Sequence, residues 1–124
     1  MGKGKRRILV VDDNLEFTKR LERFLELTGF QVSIVRDRHT ALSKLLFDPP
    51  EVVLLDLKLP DISGMEVLRG SKEIDANVTV IAVASHDGEQ VAVDSMKAGA
   101  LDFLSKPIDY GILRGKNESD TENP

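Results

Sequence analysis

Two acidic residues, Asp12 and Asp13, directly follow the apolar run 8–11, and a third, Asp56, directly follows the apolar run 52–55. Both runs read as strands, and 52–55, apolar without polar alternation, has the pattern of a strand buried on both faces of a sheet. In a parallel sheet the carboxyl ends of the strands share one edge, so the three carboxylates are expected to meet there. Gathered together, they would repel one another and raise each other's proton affinity. A hard divalent cation removes that repulsion, and magnesium suits the set because it takes a few oxygen ligands and keeps several waters. The run 101–104 leads to Lys106-Pro107 at the same edge, adding a point cation able to pair with a phosphate or carboxylate oxygen. Three acids, a metal and a lysine can host phosphoryl transfer, which needs positioned charge around the equatorial oxygens and one carboxylate oxygen as the attacking atom. Asp56, which stands alone, is the candidate for that atom.

Each signal also has a plainer reading. Asp13 or Asn14 could simply cap the following helix, with Glu16 reaching back in a capping box. Asp56, ahead of Leu57 and Pro60, could be a turn residue, and a Lys-Pro pair often just ends a strand. Their joint arrival at the ends of the first, third and fifth strands favours one shared site.

The elements that must position these residues alternate along the chain. Strand-like runs at 8–11, 30–35, 52–55, 78–83 and 101–104 are separated by stretches with helical spacing. The first helix carries Leu15, Phe17, Thr18, Leu21, Phe24 and Leu25 and ends at Gly29. The second carries Ala41, Leu42, Leu45 and Leu46 and stops at Pro49-Pro50. The third follows Gly64 with Met65, Val67 and Leu68, and is expected to end early or fray at Gly70-Ser71, because glycine costs a helix about 1 kcal/mol relative to alanine. The fourth carries Val91, Met96 and Ala98 and closes at Gly99. The fifth is shortened: Ile108, Tyr110, Ile112 and Leu113 supply apolar surface, but Gly111 and Gly115 interrupt it. Strands joined by helices imply an α/β fold, a doubly wound five-stranded parallel sheet whose ligands bind beyond the carboxyl ends of the strands.

With 124 residues the chain is expected to hold one domain, at 7–114, between a basic lead-in at 1–6 and a polar tail or linker start at 115–124. A net charge of -4, with Lys3, Lys5, Arg6 and Arg7 as the only basic cluster, argues against direct nucleic-acid binding. No apolar run has the length of a membrane span, and the strand after the basic lead-in is too short for a secretory signal. The absence of cysteine removes disulfides, thiolate metal sites and thiol nucleophiles, and agrees with a cytoplasmic setting.

The segments Ile8-Leu9-Val10-Val11-Asp12-Asp13-Asn14, Val53-Leu54-Leu55-Asp56-Leu57-Lys58-Leu59-Pro60-Asp61-Ile62-Ser63-Gly64-Met65-Glu66 and Met96-Lys97-Ala98-Gly99-Ala100-Leu101-Asp102-Phe103-Leu104-Ser105-Lys106-Pro107 resemble the receiver family of two-component signalling in content, order and spacing. The resemblance covers about residues 7 to 110. It implies a flavodoxin-like sheet of strand order 2-1-3-4-5 and a phosphoryl group taken from a sensor histidine kinase or phosphotransfer protein. By this likeness Asp56 is the phosphoacceptor and Asp12, Asp13, Asp56 and the Lys58 backbone carbonyl bind Mg2+. Lys106 then contacts the phosphate, and its bond to Pro107 is expected to be cis. An output domain or a downstream protein would receive the signal.

The chain departs from the family at its switch hydroxyl. Counting back from Lys106 puts Ala84 where a serine or threonine usually stands, with Ser85 one position later and Phe103 at the aromatic position. Either Ser85 supplies the hydroxyl, or the hydrogen bond that reports phosphorylation is missing. Lys58 and His86 occupy positions that, by the same resemblance, tune dephosphorylation; a loop histidine without a role is an equal reading. Two rival functions remain: a pseudo-receiver acting only as a protein-binding module, and a magnesium-dependent phosphoesterase. Against the second, the chain has neither a cap insertion to enclose a substrate nor a glycine-rich phosphate cradle, so no enzyme beyond self-phosphorylation and autodephosphorylation is expected.

Overall fold

A computed structural model describes residues 6–58, 64–85, 89–111 and 113, with the backbone alone for Ser85 and Glu89. Five strands, β1 (Arg6–Val11), β2 (Phe30–Val35), β3 (Val52–Asp56), β4 (Thr79–Ser85) and β5 (Asp102–Lys106), form one parallel sheet in the order β2-β1-β3-β4-β5. The chain is therefore a doubly wound α/β fold of the kind the alternating runs imply. Its helices among the described residues are α1 (Leu15–Leu27), α2 (Arg38–Phe47), α3 (Gly64–Ile74) and α4 (Glu89–Lys97). Beyond β5, Tyr110, Gly111 and Leu113 are helical, and how far a fifth helix extends lies outside the described residues.

The sheet separates two apolar layers, and strand alternation decides which residues enter each. Val10, Leu54, Ile81 and Val83 face one layer, completed by Leu21 and Leu25 of α1 and by Ile108 and Leu113 near the chain's end. Val11, Leu55, Ala82 and Ala84 face the other, completed by Ala41 and Leu45 of α2 and Val67 and Leu68 of α3. Every residue of β3 is buried, as a central strand without polar alternation requires.

Helix boundaries follow local chemistry. Asn14 caps α1, its side chain accepting the Phe17 N–H at 2.9 Å. Asp37 caps α2 by accepting the Thr40 N–H at 2.8 Å. Gly29 and Gly99 adopt left-handed φ values of 101° and 112°, which glycine alone tolerates without strain.

Three expectations need correction. The third helix does not end at Gly70-Ser71 but runs on to Ile74. A Cβ at Gly70 would sit 3.0 Å from a Leu42 methyl, so this glycine admits α2 against α3, and the buried Ser71 hydroxyl donates to the Val67 carbonyl at 2.7 Å. Packing thus outweighs the propensity cost. Arg6 belongs to β1 and not to the lead-in, since the strand is anchored where the Arg7 N–H donates to Glu51 at 2.9 Å and the Arg7 guanidinium pairs with Asp48. The capping box considered at α1 does not form: the cap is Asn14 and not Asp13, so Phe17 stands at the third helical position and Glu16 is one residue too early to reach back to the cap. The tail at 115–124 and residues 1–5 lie outside the described residues.

Gly64 sets how closely α3 approaches the end of β3. Its N–H donates to the Leu57 carbonyl at 2.9 Å, and a Cβ there would lie 2.5 Å from both the Asp56 carbonyl oxygen and the Leu57 Cα. Gly64→Ala should therefore lower the urea midpoint, by about 1–3 kcal/mol of stability as overpacking typically does, while Gly70→Ala, which meets only a rotatable methyl, should lose less. Equal midpoints for parent and Gly64→Ala would show that α3 is not seated on this backbone.

Candidate functional site at the carboxyl edge of the sheet

Register brings the acids together. Val11 pairs with Leu55, so the next residues on these neighbouring strands, Asp12 and Asp56, stand side by side. Asp56 pairs with Val83 of β4, and Ser85, two residues on, pairs with Lys106 of β5. Asp12, Asp56 and Lys106 follow Val10, Leu54 and Leu104 at a spacing of two, and all three of those residues face the α1 layer. The charged side chains accordingly emerge on the α1 side of the same edge.

One carboxylate oxygen from each of Asp12, Asp13 and Asp56 lies within 4.8 Å of the others. Asp12 and Asp56 are buried, at 2% and 7% exposure, whereas Asp13 is exposed. Lys106 extends its ammonium to 2.9 Å from Oδ2 of Asp12 and 3.3 Å from Oδ2 of Asp56. The second oxygen of each buried acid is held by backbone: Asp12 Oδ1 accepts the Asn14 N–H, and Asp56 Oδ1 accepts the Lys58 N–H, both at 2.9 Å. The Lys106 ammonium also sits over the Phe17 ring, 4.2 Å from its centroid.

The balance of charge is incomplete. Burial, the largest influence, raises the Asp56 carboxyl above its ordinary range, and the neighbouring Asp12 charge adds to this; the Lys58 N–H and Lys106 act the other way without prevailing. For Lys106, burial works to lower the ammonium, yet the Asp12 and Asp56 carboxylates beside it prevail and raise it. Among the described residues, the Lys106 ammonium lies against two buried acids, with the Asp13 carboxylate beside them. Oδ2 of Asp12 is fully buried and finds no aligned hydrogen-bond donor among the described residues, its ammonium neighbour being close but poorly directed. A buried carboxylate oxygen with an open lone pair is costly unless something else binds it. The donor set, all oxygen and with one exposed carboxylate giving access from solvent, fits a hard divalent cation.

The remaining sequence-predicted residues scatter around this centre. Lys58 is exposed, two residues beyond Asp56. Ala84 pairs with Ser105, and its methyl is buried in the layer opposite α1, against which Phe103 also packs. The backbone of Ser85 stands opposite Lys106; its side chain and all of His86 lie outside the described residues. The Lys106-Pro107 bond is cis. Sequence reasoning treated Phe17 only as an apolar position of α1. Its place at the third position of a helix that starts just after the Asp12-Asp13 pair was the available signal.

Comparison with known proteins agrees with this arrangement. The chain is 37% identical over 106 residues to the C4-dicarboxylate transport transcriptional regulatory protein DctD of Pseudomonas aeruginosa, an alignment covering 86% of this chain and 23% of DctD. It spans about a quarter of the length of such curated relatives. Among solved structures, a CheY-like response regulator receiver domain protein of Methanospirillum hungatei JF-1 superposes with a TM-score of 0.90 at 28% identity, covering 97% of this chain and 96% of that one. A Burkholderia pseudomallei response regulator, crystallised with a phosphorylated aspartic acid, calcium ion and citrate, gives a TM-score of 0.81 at 25% identity and covers 96% of this chain and 75% of that one. The sequence profile of the response regulator receiver domain matches residues 8–116. Because that match runs from within β1 past the end of β5, it takes in every strand that delivers an acid or the lysine to the shared edge, and the chain belongs to the response regulator receiver domain family of two-component systems.

Proposed function

We propose that this chain accepts a phosphoryl group on Asp56 from a phosphohistidine of a sensor histidine kinase or phosphotransfer protein, in the cytoplasm, and passes the signal to an output domain or a downstream protein. The observation that carries this is the meeting of Asp12, Asp13 and Asp56 within 4.8 Å at a strand edge with the Lys106 ammonium between the two buried acids. The Burkholderia relative crystallised with a phosphorylated aspartic acid and a calcium ion supports the reading.

On this reading Asp12, Asp13, Asp56 and the Lys58 backbone carbonyl would hold Mg2+, which when bound would supply positive charge against the acids and the phosphoryl oxygens. An Asp56 carboxylate oxygen attacks phosphorus as the phosphorus–nitrogen bond of the donor breaks, and the bonding pair leaves with the imidazole. Oδ1 of Asp56 already accepts the Lys58 N–H, while Oδ2 faces Lys106, so phosphorylation of Oδ2 brings the new oxygens to the ammonium. The role of Lys106 is to exchange a carboxylate partner for a phosphoryl one. By the family resemblance, Lys58 and His86 hold the positions that tune attack of water on the acyl phosphate.

One observation favours a variant of this reading. The methyl of Ala84 is buried at 1% exposure in the layer opposite α1 and offers nothing to a phosphoryl group. A ligand shifts a two-state equilibrium only through contacts that differ between the states. Unless Ser85 substitutes, phosphorylation is competent but weakly coupled to Phe103 and the output face. At the limit the chain is a protein-binding pseudo-receiver.

Three outcomes are expected. Intact mass after incubation with acetyl phosphate or phosphoramidate and magnesium should show one phosphoryl adduct on the parent and none on Asp56→Ala; an unmodified parent that still binds magnesium would leave the pseudo-receiver. Stability should report the crowded acids. The Asp56 carboxyl is raised in the fold above its ordinary value of 3.8, so its stabilising contribution is complete below about that pH and is lost as pH rises through the folded value. In divalent-free buffer at neutral pH, Asp56→Asn should therefore melt above the parent, with the gap closing toward pH 3.8, and magnesium should raise the melting temperature of the parent more than that of the variant. Thermal scans with and without chelator decide both points. Finally, Ala84→Thr should enlarge the phosphorylation-dependent change in fluorescence or partner binding several-fold, and no enlargement would rule out the missing hydroxyl as the cause of weak coupling.

A further inference from the structure

The sequence singled out Phe17 only as one of the apolar residues of α1, but its ring does more than fill the core. Three contacts lead from the site to this residue and back. Asp12 Oδ1 accepts the Asn14 N–H at 2.9 Å, the Asn14 side chain accepts the Phe17 N–H at 2.9 Å, and the Phe17 ring lies under the Lys106 ammonium at 4.2 Å. Lys106 closes the circuit at 2.9 Å from Asp12 Oδ2. The helix cap therefore sets the position of the ring, and the ring borders the cation that the two buried acids share. Phe17 is half-buried against the α1 layer of the core, so its backbone and its side chain are both anchored.

The chemistry of that contact is specific. An aromatic face attracts an ammonium through its quadrupole, more strongly where water is excluded, but it accepts no proton and forms no ion pair. Among the described residues the other partners of the Lys106 ammonium are Asp12 and Asp56, whose attraction must be overcome if the ammonium is to turn to a phosphoryl oxygen. A third, non-ionic support fixes the lysine at the edge without adding another negative group to an already crowded cluster. An aliphatic side chain at this position could fill the volume but could not attract the charge.

We propose that Phe17 is a positioning residue of the site, whose ring face holds the Lys106 ammonium ready for the phosphoryl group. The inference rests on the phosphoacceptor reading of Asp56. Removing the ring face should slow phosphorylation by small phosphodonors about three- to tenfold, the range expected for a partly desolvated contact of this kind, while a substitution that keeps the face should not.

The test uses the whole chain with Phe17→Leu, Phe17→Tyr and a trifluorinated phenylalanine at the same position, which keeps the shape and weakens the quadrupole. In the metal-free parent the Lys106 ε-methylene protons should resonate upfield, shielded by the ring, and lose that shift in Phe17→Leu. Phosphorylation rates should fall in the order parent and Phe17→Tyr, then the fluorinated chain, then Phe17→Leu, with equal melting temperatures for the parent and fluorinated chains. A fluorinated chain as fast as the parent, or Lys106 shifts unaltered in Phe17→Leu, would overturn the role of the ring. Failure of the parent itself to take a phosphoryl group, with the Lys106 shifts as expected, would instead overturn the phosphoacceptor reading on which that role depends.

Discussion

The structure is organised around one electrostatic constraint: two buried carboxylates side by side at the end of a sheet, with a single ammonium between them. Asp12 and Asp56 are adjacent because β1 and β3 are hydrogen-bonded neighbours in register, and neither can move away without disturbing strands whose side chains fill both core layers. Lys106 must therefore reach across from β5, over the intervening β4. Parallel pairing places all these ends at one edge, and strand alternation turns their side chains toward α1. The topology thus creates the repulsion and also supplies its partial remedy. Loop backbone completes it, through the N–H groups of Asn14 and Lys58. What is left over, an unaligned buried oxygen on Asp12 and a raised Asp56 carboxyl, has the character of a site prepared for further positive charge.

Much of this was legible in the sequence because the governing patterns are local. The dense apolar runs before Asp12 and Asp56, the glycines at 29 and 99, and the prolines after α2 report strands and helix ends through a few neighbouring residues. Strand order was not legible from periodicity and came from resemblance to the receiver family. The failures have physical causes. Gly70-Ser71 reads as a helix end by propensity, but the space left by the missing Cβ is occupied by Leu42 of another helix, and Ser71 satisfies its hydroxyl on its own helix. The capping box at Glu16 fails because the helix is capped one residue later, by Asn14, which puts Phe17 where the carboxylate would have to be. The contact between Phe17 and Lys106 joins residues 89 positions apart, and no local pattern in either segment announces it.

Ala84 shows how two parts of a site can separate. The acids and the lysine are set by strand register, whereas a switch hydroxyl would act through the tip of one side chain at the end of β4. Loss of that hydroxyl leaves the register, the burial of Asp56 and the reach of Lys106 intact. The positions of the acids and the lysine therefore do not depend on which side chain stands at residue 84. The burial of Ala84 against its layer shows that the position has been absorbed into the core.

Helix α1 connects this edge to the chain's last packed residues. At its start, the Asn14 cap ties the helix to Asp12, and Phe17 lies against Lys106. Two turns later Phe24 meets the Tyr110 ring at 4.8 Å between centroids, while Leu21 and Leu25 share a layer with Ile108 and the fully buried Leu113. The described residues after β5 are thus held by the same helix that borders the charged cluster. Since Pro107 joins these residues directly to β5, α1 touches the surroundings of the lysine at two places: at the Phe17 ring, and at Tyr110 in the chain that continues from Lys106. Both contacts lie on the face of α1 that fills the apolar layer opposite Ala84.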